Sequence, residues 1–208
     1  MKKNLFYVLV PFFILTACST EDVLEDRQTE ESRNDVYVFE SIKYFLAEED
    51  GVIDSVWCKT DTILEYNLSD YPQPDKVFYP YEAVRDSSVF IVEDNIVNGK
   101  KIVLPDSVEA PSLISDNHIY FSADNPFIGI FPGVSSKKSS CTDSNYKLSI
   151  TPRTKYAIAC KYLRIRTQAS FSVTYIGSES GKSIQIKGKW YGVRSERTSG
   201  YIIASPLE

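Results

Sequence analysis

Hydrophobic and polar positions alternate most strictly near the C-terminus. Ala169, Phe171, Val173 and Tyr175 alternate with Ser170, Ser172 and Thr174. Ile184, Ile186, Gly188 and Trp190 alternate with Ser183, Gln185, Lys187 and Lys189. A period of two puts one face of a strand in the core and the other in water. The segment Gly177 to Gly181 supplies the turn between these two strands. A long strand over about Lys155 to Arg166 precedes them, and a last strand near Gly200 to Ala204 is expected to close the sheet.

Upstream the pattern is less regular. Val36–Phe39 and Ile42–Leu46 are aromatic and β-branched, Glu49-Asp50-Gly51 offers a turn, and Val52–Cys58 follows; together they predict a β-hairpin. A helix over 36–47 competes, because Val38, Ile42, Phe45 and Leu46 share one helical face. Pro72, Pro74 and Pro80 predict a loop or edge segments over 67–82. Val89–Val92 is followed by the run Ile96–Leu104, in which Asn98-Gly99 favours a type I′ turn. Residues 105–117 read as a Pro/Ser/Asp loop, His118–Phe121 and Phe127–Phe131 as short strands, and 133–144 as a small-residue loop. The expected fold class is all-β: a twisted antiparallel β-sandwich, elongated if its strands run long. Few Ala, many Tyr and Phe, and a single Met at position 1 agree with it.

The N-terminus follows other rules. Lys2 and Lys3 precede an apolar run from Leu5 to Leu15, which is too short to cross a bilayer as a helix. Leu15-Thr16-Ala17-Cys18 resembles the lipobox of a bacterial lipoprotein. That resemblance implies cleavage after residue 17 and lipid on Cys18. Acyl chains on one residue add roughly 0.8 kcal/mol per buried methylene. Ser19-Thr20-Glu21-Asp22 resembles the acidic export signal of Bacteroidota-type surface lipoproteins. Three matches to a short glycosylation pattern of such bacteria, at Ser55, Thr62 and Ser107, point the same way. The expected organisation is a signal peptide over 1–17, a lipidated acidic tether over 18–35 and one β-rich domain over 36–208. The expected place is the outer membrane, anchored by lipid at the cell surface.

Charge is segregated. Residues 36–136 carry 17 acids against six bases, and residues 137–208 carry 13 bases against four acids. An acidic half packed beside a basic half accounts for this, as does a basic face for an anionic partner. The location and the overall acidity argue against nucleic acid. Beyond Cys18, the cysteines are Cys58, Cys141 and Cys160. One disulfide among them is permitted outside the cytoplasm, with three pairings open.

Candidate chemistry is sparse. No phosphate loop, nucleophile elbow or zinc-protease motif is present. His118 is the only histidine, and a triad would have to join it to Cys141. No cofactor and no metal are expected, and no enzyme activity; a glycan hydrolase working through two carboxylates is the least favoured alternative. Tyr71, Tyr79 and Tyr81, set among prolines, are candidates for a sugar-stacking platform. Lys187 and Lys189 are candidates for the basic strands' contact with a glycan or protein ligand.

A second resemblance concerns residues 151–193. Thr151-Pro152-Arg153-Thr154-Lys155, a long strand, an alternating hairpin and Gly188-Lys189-Trp190-Tyr191-Gly192-Val193 are similar to the closing strands of aerolysin-like pore-forming proteins. The similarity implies a membrane-active protein. It departs from the family's pattern in having one proline where two are usual and no long Ser/Thr-rich segment. The first expectation is therefore a tethered, non-catalytic binding domain, and the alternative is an aerolysin-like membrane-active protein.

Overall fold

The structure is a computed structural model that describes residues 35–93, 101–143 and 145–207. The lipobox with Cys18, the tether up to residue 34 and the Asn98-Gly99 turn lie outside the described residues. The fold is all-β; the one helical element among the described residues is a 3-10 turn at Ser140–Asp143.

Two strands of 24 residues each, β13 (Thr154–Gly177) and β14 (Ser183–Pro206), form the spine. They pair antiparallel from Thr154↔Pro206 to Ile176↔Ser183. The four C-terminal strands read from the sequence are thus two. Positive φ at Gly181 (65°) closes the turn between them.

Along the other edge of β13 lie three strands in a row. β1 (Val36–Phe45) pairs with residues 170–177, β2 (Gly51–Lys59) with 161–168 and β3 (Ile63–Asn67) with 154–158, all antiparallel to β13. The expected β1–β2 hairpin is therefore not formed: both strands run in one direction, end to end. The reason is Asp50. Its carboxylate accepts the backbone N–H of Ala47 at 2.9 Å and of Ser170 at 2.7 Å. The turn signal marks a break in one line of strands, and the acid takes up an N–H of β13 there.

β5 (Arg85–Val92) pairs with residues 188–193 of β14, and β11 (Gly133–Lys138) with β5. Residues 133–138 are therefore strand, not loop. β6 (Lys101–Val103) pairs parallel with β1 rather than with β5. β4 (Gln73–Phe78) and β12 (Tyr146–Ile150) form a separate ribbon. The segment read as a loop over 105–117 contains β7 (Ser107–Ala110) and β8 (Leu113–Ser115). These pair with β10 (Phe127–Ile130) and β9 (His118–Tyr120) respectively. Asp116 and Asn117, at φ 50° and 59°, turn β8 into β9.

The core changes sides along the spine. Between Tyr156 and Cys160 the even-numbered residues of β13 are buried, with Phe78 and Ile150 of the β4–β12 ribbon against Tyr156 and Ile158. From Ala169 to Tyr175 the odd-numbered residues are buried, under Val108, Ala110, Ile114 and Phe127 of the β7–β10 segment. Successive strand residues point to opposite faces, so the two ribbons cover opposite faces of one sheet, at opposite ends. This is the expected two-layer packing, with the second layer divided. A register shift between the Tyr162 and Leu163 pairs marks the crossover.

Candidate functional site: a hairpin laid over the sheet

Residues 107–130 form one hairpin with its tip at Asp116-Asn117. Its inward positions are Val108, Ala110, Ile114, Ile119, Phe127 and Gly129, and they rest on Phe90, Phe171 and Trp190. Its outward side is mixed: Ser107, Glu109, Ser115 and His118 stand beside Ile128 and Ile130, which are more than half exposed. Gly129 has a packing reason, since a Cβ there would meet Phe90 Cε2 at 2.8 Å.

The seat is incomplete. A cavity of about 390 Å³ separates the middle of the hairpin from the sheet. Ser112, Leu113, Tyr120 and Phe127 line it from above, and Asp86, Ser88, Thr167, Trp190 and Gly192 line it from below. Two cations bridge it. Arg194 Nη1 donates to Ser112 O at 2.8 Å. Lys137 Nζ donates to Asn125 O at 3.3 Å and lies 4.9 Å from the Phe127 ring centre. On the sheet side, Trp190 Nε1 donates to Ser88 Oγ, and Asp86 accepts the Ser195 N–H at 2.9 Å. Burial pushes the Asp86 carboxyl up, against the pull of Ser139 and Ser195.

The residues singled out from the sequence do not converge. Tyr71 is 76% exposed beyond β3 and Tyr79 is 52% exposed after β4, but Tyr81 is fully buried and donates to Lys161 O at 3.3 Å. Tyr81 therefore belongs to the core, packed with Val84, Cys141 and Cys160, and not to a surface platform. Lys189 is engaged by Glu49 and Asp50, with its Nζ 2.9 Å from Asp50 Oδ1. Burial alone would lower the Lys189 pKa, yet the two carboxylates raise it. Lys187 is exposed on the same face. Cys58 is partly exposed on β2, Cys141 and Cys160 are buried in one cluster, and none of the three permitted pairings is drawn among the described residues. His118 is exposed at the hairpin tip, with Nδ1 2.7 Å from Asp116 O, while Cys141 is buried in another cluster. Ser55 and Ser107 are exposed strand residues, and Thr62 lies exposed between β2 and β3. No group of three or more His, Cys, Asp or Glu that could hold a metal occurs among the described residues.

Asp50, Arg194 and Lys137 were not found from sequence. The Asp116-Asn117 pair, a turn signal inside an apparent loop, was the available clue to the hairpin.

No family model matches the chain, and no curated protein matches it. Among solved structures, the lamprey immune protein is similar at a TM-score of 0.47 and 11% identity, over 82% of this chain and 53% of that one. The chain thus spans about half the length of the lamprey protein. An aerolysin-like protein of Bombina maxima is similar at 0.40 and 10%, over 83% and 99%. Parasporin-2, a Bacillus thuringiensis toxin that recognizes cancer cells, is similar at 0.39 and 10%, over 81% and 74%. The class defined by the coordinates is a long-stranded, antiparallel-rich β protein with a hairpin laid over its spine.

Proposed function

We propose that this chain is a membrane-active β protein, tethered by lipid on Cys18, whose hairpin 107–130 leaves the sheet to enter the bilayer. The hairpin's build is the observation that carries this reading. Its outgoing arm, 107–115, has nine residues, and a transmembrane strand needs about 9–11. One of its faces is apolar throughout its paired residues, as a lipid-facing barrel surface requires. Its seat is weakened by the cavity, because the apolar groups that line a void lose contacts. Elements with few packed contacts are the ones that open below the global stability. Arg194 and Lys137 act as latches: each is a single hydrogen-bonded cation reaching from the sheet to the hairpin backbone.

The test is dye leakage from vesicles with the latches removed. Arg194→Gln with Lys137→Gln leaves the buried apolar seat untouched and removes both cations that reach the hairpin backbone. Leakage is expected to start faster than with the parent chain, because the hairpin opens more often. Leakage indifferent to the latches sinks the hairpin's role, and no leakage from either chain sinks membrane activity.

A second reading has support in the cavity itself. Its hydroxyls and two cations suit a small polar or acidic ligand such as a sugar acid, in keeping with a tethered binding domain. Isothermal titration with such sugars, against Lys137→Ala, tests it; no heat of binding dismisses it.

A further inference from the structure

One face of the spine is left open over part of its length by the described strands. On β13 between Lys155 and Leu163 the β4–β12 ribbon occupies the even-numbered side, and the odd-numbered side is open except at Ala159, which is fully buried beside Tyr201 in the ladder. Register places the residues of this side, some exposed and some half-buried, in rows across three strands. Tyr66, Lys155 and Ser205 form one row, and Leu64, Ala157 and Ile203 the next. Lys59, Lys161 and Ser199 follow, then Trp57, Leu163 and Glu196. Trp57, Leu64, Tyr66 and Ile203 are 53%, 47%, 42% and 54% exposed. In these rows the sole carboxylate is Glu196, already paired with Arg194 at 3.1 Å.

The lysines are set for an anionic surface. Lys59 stands directly opposite Lys161 in the β2–β13 ladder. Like charges so placed repel and weaken a sheet unless an anion lies over them. Lys59 Nζ lies 5.5 Å from the centre of the Tyr201 ring, and Lys155 Nζ 5.6 Å from that of Tyr66. Aromatic rings with a polar end, open aliphatic groups and lysines of long reach are what the boundary between headgroups and acyl chains accommodates.

We infer that this face, built on Trp57, Lys59, Leu64, Tyr66, Lys155, Lys161 and Ile203, is the docking surface for anionic lipid headgroups. The inference rests on the membrane reading above but names a different surface from the hairpin. It places the spine flat against the bilayer. The hairpin, which packs on the same side of the sheet at the other end, then starts out facing that bilayer.

Every described strand finds its partner among the described residues, and the test uses a chain starting at Ser19. Its binding to vesicles of phosphatidylcholine with phosphatidylglycerol, and of phosphatidylcholine alone, is measured by co-sedimentation at low and high salt. Binding is expected only with phosphatidylglycerol and is expected to weaken with salt. Changing Lys59, Lys155 and Lys161 together to Gln should lower it roughly 100-fold, at about a tenfold loss or less per cation near an anionic surface. Arg164→Gln with Lys187→Gln, on the opposite face, should leave it unchanged. Leu64→Ser with Ile203→Ser, which keeps every charge, should lower it about tenfold. Equal binding by the triple variant, equal loss in the opposite-face variant, or no binding by the parent chain overturns the inference. Leakage recorded on the same vesicles keeps the two ideas apart: binding without leakage overturns hairpin release and leaves the docking face standing.

Discussion

The indole of Trp190 donates its Nε1–H to Ser88 Oγ at 2.7 Å, across the β14–β5 pair and at the floor of the cavity. Both residues are buried, at 3% and 1% exposure. A buried indole N–H without an acceptor costs about 1–3 kcal/mol. Ser88→Ala is therefore expected to destabilise by about 2 kcal/mol, and Trp190→Phe by a similar amount. The double variant should recover about 1 kcal/mol of the sum, because the partners fail together. Urea unfolding of the four chains checks this; strict additivity would remove the bond from the account.

Asp50 governs the acid limb of stability. Its side chain is fully buried, which by itself would raise its pKa. The hydrogen bonds it accepts from Ser170, Ala47, Gln168 and Lys189 outweigh burial and hold the carboxyl well below the usual range. A carboxyl depressed on folding contributes fully above its unfolded pKa, near 4, and loses that contribution as pH falls below it. Stability is expected to be level in this respect from pH 7 to about 4 and to fall toward pH 2. Asp50→Ala should cost about 3 kcal/mol at pH 7, leaving Lys189 half-served, and should flatten that acid limb. Thermal melts of both chains between pH 2 and 7 measure it.

At Gly188 the backbones of β14 and β5 come close. A Cβ there would lie 2.2 Å from the backbone oxygen of Ile91 and 2.5 Å from Phe171 Cζ. The oxygen belongs to the paired strand and cannot turn aside. Gly188→Ala is expected to cost at least about 3 kcal/mol, with loss of β5 pairing visible as fast amide exchange over 85–92. Protection equal to the parent's would refute the contact.

Three cysteines in unequal settings give a simple chemical signature. Cys58 is partly exposed on β2, whereas Cys141 and Cys160 are buried. In the native chain starting at Ser19, one thiol should react quickly with a disulfide reagent, and two more only after denaturation. Cys58→Ser should abolish the fast phase. Fewer than three thiols after denaturation without reductant would reinstate a disulfide.

Legibility followed the local physics. Strict alternation between Ala169 and Tyr175 and between Ser183 and Trp190 identified strands, their core faces and the turn correctly, because one face of each is buried by a single neighbour. The pattern could not show that those strands continue through Arg166 and Val193. Alternation is interrupted where the core changes sides, and a reader of periodicity takes the interruption for an end. The β1–β2 hairpin failed because Glu49-Asp50-Gly51 has turn chemistry whether the chain reverses or only pauses; Asp50's long-range bond to Ser170 N decided. Tyr81 failed for a related reason. Its prolines signal irregular backbone but say nothing of which ring turns inward. The hairpin at 107–130 was hidden by Pro111 and its serines, which loosen the pattern at the cavity. The aerolysin-like resemblance over 151–193 rested on the spine's end and said nothing of that hairpin.

The change of sides along β13 has a consequence for how the chain finds its register. A slip of one residue against β14 would turn Phe171 and Val173 outward and, at the far end, Tyr156 and Ile158 as well. Two cores on opposite faces would open together, so the pairing is proofread twice by independent sets of contacts. Neither ribbon can draw the spine toward its own preferred offset without disrupting the other's seat. The spine is thereby the fixed beam of the molecule, and both ribbons are hung from it.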